Sequence, residues 1–98
     1  PLAITFLESP EFANLKDGRA RALFILTSYY KQILTPDELF IHMYEWNTKV
    51  MNNYFNQKNI KATIRSSKGC FPVSTVVELF DELDINQKYL EDINIKER

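Results

Sequence analysis

The stretch Asp17 to Leu34 constrains the fold more than any other part of this chain. From Arg19 to Ile33 it holds no proline, no glycine and few β-branched residues, so it reads as one helix of about four turns. Ala22, Leu23, Ile25, Leu26, Tyr29, Tyr30 and Ile33 wrap more than one side of that helix. A helix apolar over most of its circumference belongs at the centre of a core, where amphipathic neighbours cover it. With 98 residues, the chain has the length of a single helical domain. It does not begin with Met, so the expectation is either a trimmed chain or a domain excised from a longer one. Two glycines in the whole sequence are too few for the turns of a β-sandwich.

Boundary signals on both sides divide the rest into helices. Pro1 to Glu8 fits either a short helix or an extended arm. Ser9-Pro10-Glu11 reads as an N-cap with proline at the first helical position, opening a short turn through Leu15. Asp17 or Gly18 then caps the central helix. Thr35-Pro36-Asp37-Glu38 has the form of a capping box, and Leu39, Phe40, Met43, Trp46, Val50 and Met51 recur at helical spacing, so a second long helix should run to about Tyr54. A third is expected from Gln57 to Ser67 with Ile60 and Ile64 inward. Ser74 caps a fourth, whose Val77, Leu79, Phe80 and Leu83 close the core. Asn86 starts a last acidic helix to Ile93, and Lys96-Glu97-Arg98 should fray. The expectation is an all-α, compact bundle of five or six helices around the central buried helix, about residues 19–33.

Charge is distributed unevenly behind a net value of −1. Residues 46–77 carry five basic side chains and no acidic one, whereas residues 78–98 carry seven acidic and three basic. Lys58, Lys61, Arg65 and Lys68 are spaced three, four and three apart, which places them on one helix face. Such a stripe can follow a phosphate backbone; it can equally be a solvated face, or one paired with the acidic C-terminal segment. Tyr29, Tyr30, Tyr44, Trp46 and Tyr54 are aromatic side chains of a kind that stacks on bases when it reaches a rim, although Trp46 is of a size that suits the core. Arg19 and Arg21 open the central helix, where their charge opposes the macrodipole. An anion, phosphate or carboxylate, is what they would hold.

Chemistry of the chain's own is not indicated. His42 is the single histidine and Cys70 the single cysteine, which leaves no internal disulfide, no cysteine-based zinc or iron–sulfur site and no Cys or His partner with which His42 could hold a metal. His42 reads as a partly exposed structural histidine and Cys70 as a packed thiol. There is no phosphate-cradling glycine loop, and Asp81, Glu82 and Asp84 read as a solvated acidic face. No apolar run approaches the ~20 residues of a membrane span. A reducing, cytoplasmic setting fits one cysteine and no signal peptide.

Four blocks in order carry a family likeness: Gly18-Arg19-Ala20-Arg21 running into Leu23-Phe24-Ile25-Leu26-Thr27-Ser28-Tyr29, then Leu34-Thr35-Pro36-Asp37-Glu38-Leu39, then Glu45-Trp46-Asn47, then Ile64-Arg65-Ser66. Together, over roughly residues 1–85, they resemble the helical domain that accompanies archaeal and plasmid primases. The chain is similar to the C-terminal helical domain of primase-polymerases and to the PriX-type non-catalytic primase subunit. The resemblance implies an accessory role in primer synthesis for DNA replication, without catalysis by this chain. The partners would be single-stranded template DNA, ATP or another nucleoside triphosphate, and a catalytic primase subunit or domain that supplies carboxylates and metal ions. Carried over position by position, it implies nucleic-acid contacts at Arg65, Ser66, Tyr29 and Trp46 and nucleotide contacts at Arg19 and Arg21; Lys58, Lys61 and Lys68 join the nucleic-acid set through the basic stripe read above. Large primase subunits of related function hold an iron–sulfur cluster through four cysteines; one cysteine here favours the cluster-free type. Two other classes fit the residues. One is a protein-interaction adapter whose basic middle docks an acidic partner helix. The other is a helix-turn-helix reader of duplex DNA, for which no recognition helix is apparent.

Overall fold

The computed structural model describes residues 1–93, and there every regular element is a helix. The α-helices are α1 (Leu2–Leu7), α2 (Pro10–Leu15), α3 (Arg19–Tyr30), α4 (Pro36–Lys49), α5 (Gln57–Ser66) and α6 (Val73–Glu82), followed by a 3₁₀ turn, Gln87–Leu90. The all-α bundle around the helix that opens at Arg19 is as the sequence implies. Lys96, Glu97 and Arg98, expected to fray, lie outside the described residues.

Capping chemistry sets most boundaries. The Ser9 hydroxyl accepts from Phe12 N–H with Pro10 at the first helical position. Gly18, at φ 72°, opens α3 in a left-handed conformation that a side chain rarely adopts. A Cβ there would lie 2.6 Å from Leu79 Cδ1, so the same glycine lets α6 pack against the start of α3. Thr35 and Glu38 form a full capping box, and Asn56 caps α5 by accepting from Asn59 N–H.

Glu38 is held below its ordinary value of 4.5, first by the Thr35 backbone N–H and then by the Thr35 side chain. A carboxyl lowered on folding stabilises above its unfolded pKa, and that contribution is lost as pH falls through the folded value. The stability advantage of the wild type over Glu38→Gln should therefore be full near pH 6 and shrink below about pH 4. Thermal melts of both proteins across that range check it; a constant offset would break the linkage.

Several boundaries differ from expectation. The central helix ends at Tyr30, where Gln32 N–H and Ile33 N–H turn back to Tyr29 O and Tyr30 O three residues earlier. Ile33, expected in the core, is 61% exposed on that turn. The helix expected to reach Tyr54 stops at Lys49, and Asn52 and Asn53 follow at positive φ. Ser74 does not cap α6: Pro72 precedes its first turn, and Ser74 is exposed inside that turn. After Asn86 the chain makes a short 3₁₀ turn, capped by Asn86 accepting from Lys88 N–H.

The core is one cluster in which Leu23, Ile25 and Leu26 of α3 meet Phe6, Phe12, Met43, Trp46, Ile60, Val76 and Phe80. Phe6 stands edge-on to both Phe12 and Phe80, which joins α1 and α2 to α6. Polar ties fix the rim. His42 Nε2 lies 2.7 Å from Glu8 Oε2, and Tyr30 donates to Glu8 Oε1 at 2.6 Å. Burial, and then the Glu8 carboxylate, hold the Tyr30 phenol above its ordinary 10.0, so it stays a donor. His42 thus joins α4 to the α1–α2 corner, a structural histidine.

Candidate nucleic-acid interface

Helix α5 packs on α3 and α4 through Ile60, which is fully buried, and Ile64. Those two side chains occupy one side of the helix, which turns Lys58, Lys61 and Arg65 outward. All three are exposed. Among the described residues the ion pairs are Arg21–Glu82, His42–Glu8 and Lys49–Glu45, so no carboxylate neutralises the α5 stripe. Lys68 is exposed too, but the helix has ended: Ser67 is extended at ψ 138° and Lys68 lies in the loop beyond it. Helical spacing therefore places three cations on the face, not four. Ser66 is exposed beside Arg65, its hydroxyl donating back to Thr63 O.

Both ends of α5 are fixed. Asn56 caps the start, and at the finish Lys31, the residue after α3, places its Nζ 2.7 Å from both Ile64 O and Ser67 O. A cation bonded to terminal carbonyls satisfies acceptors that the helix cannot, and it complements the macrodipole. Ser67 is buried and its hydroxyl lies 3.0 Å from that of Ser28. The three cations thus sit on an anchored rod, seven helical steps from Lys58 to Arg65 or about 10 Å along the axis.

Between α4 and α5 runs an open groove of ≈ 580 Å³. Asp37, Phe40 and Ile41 form its α4 side, and Lys61, Ile64 and Arg65 its α5 side. Ile41 is 55% exposed. The Lys61 ammonium lies 5.5 Å from the centre of the Phe40 ring, a cation–π contact. Tyr44, one turn further on, stacks on Phe40 and keeps 40% of its surface open. An aromatic platform therefore borders the basic rail, but its residues are Phe40 and Tyr44.

Tyr44 is among the aromatics named from the sequence, but Trp46 and Tyr29, the two carried into the nucleic-acid site, are elsewhere. Trp46 is 4% exposed and donates its indole N–H to Leu7 O at 3.1 Å, so no base can stack on it. It faces inward because Leu39, Met43 and Trp46 form the core-facing stripe of α4. Tyr29 is partly buried, edge-on to Tyr30 and Phe71, and lines a separate cleft with Phe71 and Val73. Asn47 lies inside α4 and is buried; its amide donates to Phe55 O and accepts from Phe55 N–H. A signal for Tyr44 exists in the sequence, since position 44 falls off the 39–43–46 stripe.

Arg19 and Arg21 diverge around the start of α3. Arg21 is bonded to Glu82 at 2.6 Å. Arg19 lies over the Tyr54 ring, 4.2 Å from its centre. Lys16, Arg19, Arg21 and Tyr54 line a cleft of ≈ 300 Å³ there. Neither Arg19 nor Lys16 has a carboxylate partner within ion-pair distance among the described residues, and Asp17 also lines the cleft. Cys70 is exposed rather than packed. Among the described residues, no three histidine, cysteine or carboxylate side chains come together to hold a metal, and no helix is long and apolar enough to cross a membrane. The chain matches no family model, no characterised protein and no solved structure.

Proposed function

We propose that the α4–α5 face binds single-stranded nucleic acid, and that the protein serves as an accessory, non-catalytic domain of a DNA primase. The observation that carries the first statement is the row Lys58, Lys61 and Arg65, exposed and unneutralised among the described residues beside Phe40 and Tyr44. Phosphates meet the cations while bases lie against aromatic and apolar surface, the combination by which single strands are held without sequence readout. The primase assignment is supported by the order of residue blocks from Gly18 to Ser66. In that role the chain holds template beside a catalytic partner and so lowers the entropic cost of the first encounter. Arg19, with Lys16 and Tyr54, is the site proposed for the triphosphate; Arg21 contributes only by exchanging its Glu82 partner.

The test is a salt titration of binding to a labelled oligothymidylate, read by fluorescence anisotropy. Three phosphate contacts to a single strand predict a slope of log K against log salt of about −2, and replacing both Lys61 and Arg65 with alanine should flatten it to about −0.7. A slope that the double substitution leaves unchanged would place the strand elsewhere. A second reading has one observation in its favour: Ile41 is 55% exposed in an apolar groove, as an adapter for an acidic partner helix would require. An adapter would bind no oligonucleotide at moderate salt.

A further inference from the structure

We infer that the groove between α4 and α5 is a base pocket that selects guanine through Asp37, an inference that rests on the single-strand reading above. The groove has three kinds of wall. Phe40, Ile41 and Ile64 supply apolar surface, Lys61 and Arg65 supply positive charge on the α5 side, and Asp37 supplies a carboxylate on the α4 side. Although all three charged residues line one groove, Asp37 makes no ion pair and no hydrogen bond among the described residues. Its oxygens remain available to a ligand.

That distribution of charge discriminates between occupants. An acidic helix would be drawn to Lys61 and Arg65 but would bring its carboxylates against Asp37. A nucleotide matches both sides, with an anionic phosphate for the cations and a flat base for the apolar surface. The remaining requirement is a base edge that donates to a carboxylate. Guanine presents two parallel donors, N1–H and the N2 amino group, which a carboxylate accepts together in a charge-assisted pair. Adenine and cytosine each offer one amino donor beside an acceptor. Thymine offers one N–H between two carbonyls that repel the carboxylate. Unpaired bases expose these edges; duplex bases do not.

Three labelled hexamers decide it: oligothymidylate with guanine, hypoxanthine or thymine at one central position, titrated against the full chain by anisotropy. Hypoxanthine keeps N1–H and lacks the N2 amino group. The guanine oligomer should bind about three- to tenfold tighter than the thymine one, with hypoxanthine between them. Asp37→Asn should bring the guanine oligomer down towards the thymine level. Equal affinities for all three oligomers, each weakened by the Lys61 and Arg65 substitutions, would overturn the base pocket and leave the strand reading standing. A guanine preference that survives Asp37→Asn would overturn the assignment to Asp37. Binding of none of the three would remove the single-strand reading itself.

Discussion

Replacing Trp46 with alanine is expected to destabilise the protein by about 3–5 kcal/mol, the range for removing a large buried aromatic side chain. The indole is almost fully buried against the core and is the donor to Leu7 O, so the substitution opens a cavity and also leaves a buried carbonyl without a partner. For a domain of this size such a loss lowers the melting temperature by about 15 °C or more. Tyr44→Ala is the matching experiment. Tyr44 keeps 40% of its surface open and stacks on Phe40, so its removal should cost less than about 1 kcal/mol of stability. It should weaken oligonucleotide binding by about 1–3 kcal/mol, the worth of one stacked base. Circular-dichroism melts and anisotropy on the two variants separate core from platform. A Trp46→Ala protein that melts normally but fails to bind would reverse the two assignments.

The second large effect is expected at Asn47. Its side chain mimics a backbone partner for Phe55, donating to Phe55 O at 2.7 Å and accepting from Phe55 N–H at 2.9 Å. Its own carbonyl accepts from Asn53 N–H. Asn47→Ala removes both side-chain bonds and should cost about 2–3 kcal/mol. Asn47→Asp should be no better near neutrality, because its second oxygen faces the Phe55 carbonyl with charge and without a proton. The local consequence is as informative as the global one. Asn47 closes the segment 50–55, and Tyr54 in that segment lies over Arg19. Hydrogen exchange of the Phe55 amide should rise sharply in either variant, and nucleotide binding at Arg19 should weaken with it. Unchanged protection at Phe55 would mean that the segment is held by other contacts.

Legibility from the residues followed the range of the interaction. Caps act over three residues, so Ser9 and Thr35 with Glu38 were readable where they stand, and the start of each helix from α2 to α5 followed. Ser74 misled because a hydroxyl near a helix start resembles a cap whether or not the backbone turns there; Pro72 shifts the turn two residues earlier. Helix ends were harder. The central helix stops at Tyr30 and α4 at Lys49 without a glycine or proline to mark either. In α4 the 39–43–46 stripe marks Trp46 as covered and leaves Tyr44 off it, whereas the partial cover of Phe40 is decided by its packing against α5. The outward direction of Lys58, Lys61 and Arg65 was legible from Ile60 and Ile64. Lys68 was not separable, since the helix ends between it and Arg65. Ties such as Lys31 to Ile64 and Ser67, or Arg21 to Glu82, join residues more than thirty positions apart, and no local pattern encodes them.

Lys31 has a kinetic consequence. With Asn56 at one terminus and that ammonium at the other, the cationic helix is already set when it is empty. On the proposed reading, a polyanion would meet a helix whose two ends are already anchored, so capture would be expected at the pace of diffusion steered by the field. Release, governed by how many contacts break together, is then where any difference between ligands is decided.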